Sequence, residues 1–166
     1  EAMAQHKAEI DSIVNNTEAP TFENTIVAYD NSGELLDKIS PVFSNISGTA
    51  STPEVIALAK ELSPLTSKHF NEISLNPLLF QRVKAVYEKK DSLGLDAEQM
   101  RLLTEMYKGF VRSGADLPED KKNELKTINE EISALQLQFG QNLLAETDAF
   151  KLIIDNYFNA KELPYA

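Results

Sequence analysis

The chain has 166 residues, of which 42% are hydrophobic and 25% are charged, a balance typical of a soluble globular protein with a real core. Its formal net charge of −10 argues against nucleic acid or an anionic membrane surface as a partner, because both attract clustered Lys and Arg. The absence of cysteine excludes disulfides, thiol nucleophiles and cysteine metal sites.

The first part of the chain predicts two helical stretches separated by a turn. In residues 1–15, side chains at spacings of 3, 4 and 3 form one face: Met3, His6, Ile10 and Ile13. Thr21 is the predicted N-cap of the next stretch. An apolar register that continues over residues 22–47 predicts one helix or two nearly coaxial ones. We expect a kink near Gly33 or Pro41, because both residue types weaken a helix interior.

Three further helices each have a recognisable start. Thr52 and Asn76 are predicted N-caps, and a proline at the first helical position follows each of them. Asp96 is followed three residues later by Gln99, which predicts a capping box. Gly114 is expected to end the fifth helix.

The longest predicted helix covers residues 117–146, and we expect the other helices to pack along it. Apolar residues recur on it at spacings of 3, 4, 3, 4 and 4: Leu125, Ile128, Ile132, Leu135, Phe139 and Leu143. A rod of about 40 Å cannot bury such a stripe alone, so we predict that the stripe lies in the core. Gly140 in its interior indicates close packing of another helix, in preference to a ligand-facing role.

Residues 150–154 read as a short strand, and nothing else in the sequence looks like its partner. A lone strand leaves its backbone groups unpaired, which suggests a piece of a longer protein. We therefore divide the chain into a helical domain, residues 1–148, and the truncated start of a following region, residues 149–166. The predicted fold is all-α, with about six helices packed as antiparallel pairs around one long helix, and a short C-terminal strand.

No catalytic or metal-binding motif is evident in the sequence. The two histidines do not form H-E-x-x-H, and a zinc site needs three protein ligands. His6 lies on an apolar stripe and is predicted to be buried and hydrogen-bonded, whereas His69 is predicted to be a surface residue. The carboxylate pairs Glu119–Asp120 and Glu130–Glu131 are placed as expected of a solvated helix face. We assign no catalytic, cofactor-binding or metal-ligating residue.

Five short blocks, taken in order, resemble the peptidyl-dipeptidase Dcp-like zinc metallopeptidases of the thimet oligopeptidase-like family. They are Phe-Glu-Asn-Thr-Ile-Val-Ala at 22–28, Ser-Gly-Glu-Leu-Leu at 32–36, Phe-Val-Arg-Ser-Gly-Ala at 110–115, Asn-Glu-Glu-Ile-Ser at 129–133 and Phe-Gly-Gln-Asn at 139–142. Each block alone is weak, but their order and spacing are fairly specific, and the resemblance spans essentially the whole chain.

The resemblance implies an all-helical enzyme with two lobes and a deep channel, which removes dipeptides from the C-terminus of short peptides. Residues 1–148 would be its N-terminal domain, the wall and lid of the channel. Its partners would be short peptide substrates and the catalytic lobe of the same protein. Zinc and its H-E-x-x-H helix would lie downstream, so this chain alone should hold no zinc and be inactive. The cytoplasm is the expected compartment, with periplasm or secretion left open because the true N-terminus would be absent.

Two other classes of function were weighed against this one. A stand-alone helical adaptor would bind partner helices in exposed grooves. A carboxylate-bridged metal bundle would need Glu-x-x-His motifs on facing helices, and the sequence contains none.

Overall fold

The computed structural model describes residues 1–49 and 52–151. Its helices are α1 (Ala2–Val14), α2 (Ala28–Asp30), α3 (Glu34–Thr49), α4 (Pro53–Ser74), α5 (Pro77–Tyr87), α6 (Ala97–Arg112) and α7 (Glu119–Ala149). A π-helical segment, Phe22–Val27, leads directly into α2, and a 3₁₀ turn, Lys90–Ser92, lies between α5 and α6. These ranges contain no strand, and the all-α prediction is confirmed. Phe150 and Lys151 form no strand, and the rest of predicted strand 150–154 lies outside the described residues.

Local hydrogen bonds at the helix starts explain why most predicted beginnings are correct. The Thr21 hydroxyl accepts from Asn24 N, while the Asn24 amide oxygen accepts from Thr21 N. Asp96 and Gln99 form the predicted capping box in the same reciprocal way. Asn76 accepts hydrogen bonds from two backbone N–H groups at the start of α5. Each start is therefore specified by residues within one turn, which a sequence pattern can reveal.

The break predicted in the second helical stretch occurs at Gly33. This residue has φ +80°, a left-handed conformation that favours glycine, and it separates α2 from α3. Pro41, the other predicted kink position, lies inside α3, which continues to Thr49. The helix therefore extends beyond residue 47, where the predicted helical register ends.

The buried core lies between α1, the π-helical segment, α5, α6 and the end of α4. Leu79, Val83 and Leu103 are completely buried there. The rings of Tyr87 and Tyr107 stack at 4.0 Å between centroids and join α5 to α6 beside the core. Among the described residues, none of the buried apolar side chains comes from α7.

Buried Arg82 fastens α5 to the loop that follows α1. Its Nη1 donates to the carbonyl oxygens of Asn16 (2.9 Å) and Glu18 (3.2 Å), and its Nη2 donates to Asn24 Oδ1 (3.2 Å). The guanidinium thus satisfies backbone carbonyls that no helix ladder reaches.

Helices α4 and α7 run in opposite directions, as the predicted antiparallel pairing requires. Asn71, late in α4, bonds to Asn129 near the start of α7, while Ile56, early in α4, lines the same cleft as Gly140 far along α7. In α5 and α6, Phe80 contacts both Tyr107 and Phe110, and Tyr87 stacks on Tyr107, so aromatic rings join the two helices.

The prediction that the apolar residues of α7 from Leu125 to Leu143 lie in the core is wrong. Leu135 is 64% exposed and Phe139 is 70% exposed, and the other stripe residues after Leu125 are exposed as well: Ile128, Ile132 and Leu143. The face that packs against α4 is mostly polar and includes Asn129 and Ser133. A hydrogen bond between the two helices and a small side chain at the contact allow this face, rather than the apolar one, to approach α4.

Candidate functional site

A large apolar groove, with a volume of about 1080 Å³, lies between α3, α4 and α7, and the first residues of α1 also line it. Its apolar lining includes Leu36, Ile39, Phe43, Leu62, Phe70 and Ile132. Glu1 is the only charged side chain among the described residues of its lining. In a chain with 25% charged residues, this depletion suits an uncharged, apolar occupant.

Asn71, which lines the groove, carries a buried hydrogen-bond donor that the described residues leave unsatisfied. Asn71 is buried, and its Oδ1 accepts from Asn129 Nδ2 at 2.7 Å. The Asn71 Nδ2 has no acceptor within the described part of the chain. Burying an unpaired N–H costs about 1–3 kcal/mol, so this nitrogen lowers the stability of the α4–α7 contact.

Gly140 lies at a smaller cleft of about 200 Å³ between α3, α4 and α7. A Cβ built on Gly140 would find no heavy atom within 4 Å. The prediction of close helix packing at this glycine is therefore wrong. Its neighbours across the cleft include Gly48, which has no side chain, and Ala59, which has only a methyl group, so the space stays open.

The two histidines form a buried pair at the junction of α1, α3 and α4. His6 Nδ1 and His69 Nε2 are 3.1 Å apart, and their exposed fractions are 8% and 6%. His6 Nε2 lies 3.3 Å from the hydroxyl of Ser32. The prediction of a buried, hydrogen-bonded His6 is confirmed, whereas the prediction of a surface His69 is wrong.

The error at His69 comes from an ambiguity in helical spacing. Between Thr66 and Ile73 the apolar face of α4 can pass through Phe70, at spacings of 4 and 3, or through His69, at 3 and 4. The sequence interpretation followed the larger apolar side chain. In the fold His69 is buried and Phe70 is 45% exposed in the groove.

Burial lowers the pKa of both histidines below the ordinary value of 6.5. For His6, the charges of Glu9 and Asp37 oppose this effect, while the charge of His6 lowers the pKa of His69 further. The pair is therefore neutral at neutral pH.

The histidine pair does not fit a catalytic zinc. Glu9, the carboxylate nearest to His6 along α1, already accepts the Gly33 N–H at 2.7 Å. Residues 1–49 and 52–151 contain no group of three His, Cys, Asp or Glu that could hold a metal ion. A catalytic zinc needs three protein ligands, and two rings bonded to each other do not supply them.

The paired carboxylates lie where the sequence predicts. Glu119, Asp120, Glu130 and Glu131 are all exposed on α7. Glu119 is 3.9 Å from Lys126 Nζ, which is a surface ion pair of small energetic effect. These carboxylates therefore belong to a solvated face. No helix in the described part of the chain combines the length and hydropathy needed to cross a membrane.

Comparison with known proteins shows similarity to peptidases. The chain is 39% identical over 156 residues to dipeptidyl carboxypeptidase of Salmonella typhimurium, a match that covers 94% of this chain and 23% of that protein. It is 31% identical over 137 residues to thimet-like oligopeptidase of Dictyostelium discoideum (76% and 19%). It is 27% identical over 134 residues to probable cytosolic oligopeptidase A of Arabidopsis thaliana (79% and 19%). No family model matches the chain.

The matches extend along most of this chain but cover only a part of each relative. The chain spans 23% of the length of the dipeptidyl carboxypeptidases from Salmonella typhimurium and Escherichia coli, at 39% and 38% identity. The resemblance found in the sequence is confirmed: this chain is homologous to one segment of the dipeptidyl carboxypeptidases, with oligopeptidase A and thimet-like oligopeptidase as further relatives.

Proposed function

We propose that this chain is the non-catalytic N-terminal helical domain of a zinc-dependent peptidyl-dipeptidase. The whole protein would release dipeptides from the C-terminus of short peptides held in a deep channel. Residues 1–148 would supply wall and lid to that channel, and residues 149–166 would lead into the next region. The similarity over 156 residues to a dipeptidyl carboxypeptidase carries this proposal.

The chemistry of the chain supports a confining rather than a hydrolytic role. The sequence lacks H-E-x-x-H, the helical motif that places two zinc ligands and a general base on one face. Its two histidines are hydrogen-bonded to each other. Zinc and the glutamate that activates its water would therefore come from the catalytic lobe, outside this chain.

The exposed apolar surface supports a contact with that lobe. We name the outward-facing residues of α7, Ile128, Ile132, Leu135, Phe139 and Leu143, the α7 stripe. Ile132 also lines the groove, so the α7 stripe and the groove meet. Contiguous apolar surface of this kind marks interaction sites on soluble proteins. We propose that the catalytic lobe covers the α7 stripe.

The same groove is the observation that favours the second candidate, a stand-alone helical adaptor. An amphipathic helix from another protein would find an apolar, nearly uncharged surface there. In the first candidate, the groove is covered by another part of the same polypeptide, and that polypeptide cleaves peptides. In the second candidate, the groove binds a separate protein and no peptide is cleaved.

The test measures chelator-sensitive release of C-terminal dipeptides from a blocked short peptide. We expect no release by the 166-residue chain alone and clear release by a longer protein that adds the downstream polypeptide. In the longer protein, Phe139→Asp should reduce release, because it places a charge in the α7 stripe, whereas Thr127→Asp, at an exposed position of α7 outside the stripe, should not.

Two outcomes would contradict the proposal. Chelator-sensitive cleavage by the chain alone, after contaminating protease is excluded, would show that it is catalytic. A longer protein that folds but releases no dipeptide would favour the adaptor.

A further inference from the structure

Three elements of the fold meet at His6. The proposed peptidase function does not explain this junction, because hydrolysis would take place in another lobe. His69 reaches it from α4, Ser32 reaches it from the turn before α3, and His6 itself belongs to α1. The same turn is held a second time, because Glu9 Oε2 accepts from Gly33 N at 2.7 Å. The junction therefore fixes the position of α1 relative to α3 and α4.

The hydrogen bonds around the pair determine which ring nitrogens carry hydrogen. Ser32 Oγ donates its only hydrogen to the Tyr29 carbonyl oxygen at 2.7 Å. It can then only accept from His6, so the hydrogen of the neutral His6 ring lies on Nε2. His6 Nδ1 is consequently an acceptor, and His69 Nε2 must be the donor to it. Both neutral rings therefore carry hydrogen on Nε2.

Acid disrupts this arrangement in two steps. A first proton can add to His69 Nδ1 and leave the hydrogen bond from His69 Nε2 to His6 Nδ1 intact. A second proton places an N–H on each side of a 3.1 Å contact, between two positive rings. No hydrogen bond then remains between α1 and α4 at this point.

The charged groups that act on the pair come from all three helices. Lys7 and Glu9 belong to α1, Asp37 belongs to α3 and Glu72 belongs to α4. The three carboxylates favour protonation and the lysine opposes it. Desolvation outweighs the carboxylates at both rings and lowers both pKa values, so the buried pair resists protons that exposed histidines accept.

We propose that His6 and His69 form an acid-sensitive latch, which holds α1 against α3 and α4 while both rings are neutral and releases α1 when both are protonated. Glu1, Ala2 and Met3 line the apolar groove, so release would remove part of its wall. This proposal does not depend on the peptidase assignment.

The direction of the pH effect follows from proton linkage. The opened state binds protons with the ordinary histidine pKa of about 6.5, whereas the latched state resists them. The latch is therefore complete above about pH 6.5 and weakens as the pH falls below that value. With two protons taken up on opening, the opening equilibrium rises by up to about 100-fold per pH unit.

A first experiment examines the rings themselves by NMR. The chain contains two histidines, so the spectrum of His69→Gln assigns both imidazoles. We expect both rings to carry hydrogen on Nε2 at about pH 8, and both to titrate below the ordinary pKa of about 6.5. Hydrogen on Nδ1 of either ring at that pH, or two independent titrations near the ordinary value, would overturn the proposal.

A second experiment measures amide hydrogen-exchange protection in α1 at about pH 7.5 and about pH 5.5, with α6 as the internal reference. We expect protection at Ile10 and Ile13 to fall with acid much more than protection at Leu103, which lies in α6. Equal changes in the two helices, or no change in α1, would refute the latch.

His69→Gln is the matched variant for that experiment. A glutamine Nε2–H can donate to His6 Nδ1 but cannot titrate, so the response should shrink to at most about tenfold per pH unit. A variant with the full wild-type response would contradict the proposal. If the variant does not fold, the comparison of α1 with α6 in the wild-type chain decides the question alone.

Discussion

Asn129 donates to Asn71 across the interface of α7 and α4, with 2.7 Å between Nδ2 and Oδ1. Because Asn71 is buried, leaving its Oδ1 without a hydrogen-bond donor would destabilise the fold. It fixes the rotation of α7 about its own axis, and the α7 stripe consequently faces outward.

Asn129→Ala should destabilise the chain by about 1–3 kcal/mol, because it leaves the buried Asn71 Oδ1 without its donor. Asn142→Ala, on the exposed side of the same helix, is the matched control because it makes the same change in helix propensity. It should alter stability by no more than about 0.5 kcal/mol. Urea unfolding followed by circular dichroism measures both values. Equal effects would mean that the Asn pair does not orient α7.

The exposed α7 stripe predicts an unusual contrast between two leucines. Leu103→Ala should cost about 2–5 kcal/mol, because Leu103 is completely buried in the core. Leu135→Ala should cost less than about 1 kcal/mol in the 166-residue chain, because most of its surface is already in water. Equilibrium unfolding of the two variants tests this. A loss at Leu135 as large as that at Leu103 would restore the original prediction of a core stripe.

Helix starts that depend on residues within one turn could be predicted from the sequence, whereas the arrangement of the helices could not. The caps at Thr21, Asn76 and Asp96 depend on neighbours up to three residues away, so the sequence locates them. The outward rotation of α7 depends on Asn71, which lies 58 residues away in the chain. Periodicity identifies an apolar face but does not say what covers it.

The candidate site shows the same limit. The groove brings α7 beside α3 and α4, which are distant from it in sequence, and no local motif marks it. The histidine pair joins residues 63 positions apart, and His69 was assigned to the surface because Phe70 is the more apolar neighbour. The resemblance to a peptidase family lies in short sequence blocks and depends on none of this geometry.

Gly140→Ala should stabilise the chain. The glycine lies inside α7, and an added Cβ would meet no atom within 4 Å. Alanine is favoured over glycine in a helix interior by about 0.5–1 kcal/mol, so thermal unfolding should shift upward. Gly109→Ala, inside α6 and equally unobstructed, provides a second measurement of the same propensity term. A destabilised Gly140 variant beside a stabilised Gly109 variant would indicate close packing at Gly140 after all.

Alanine substitutions at Gly33 and Gly94 distinguish backbone strain from steric overlap, two effects that usually occur together when glycine is replaced. Both have left-handed backbones, with φ +80° and +65°, so alanine costs about 1–2 kcal/mol at either position. At Gly94 an added Cβ meets nothing within 4 Å, whereas at Gly33 it would lie 2.9 Å from His6 Cε1. Gly33→Ala must therefore displace the His6 ring in addition to straining the backbone.

We expect Gly33→Ala to cost about 1–3 kcal/mol more than Gly94→Ala, since overpacking of a buried ring adds to the common backbone term. The displaced ring should also lose its contact with His69, so the NMR titrations of the two histidines should move toward the ordinary value only in the Gly33 variant. Chemical denaturation and NMR titration of both variants measure the two effects. Equal destabilisation, with unchanged histidine titrations at both positions, would show that the His6 ring yields freely and that the turn does not hold the pair.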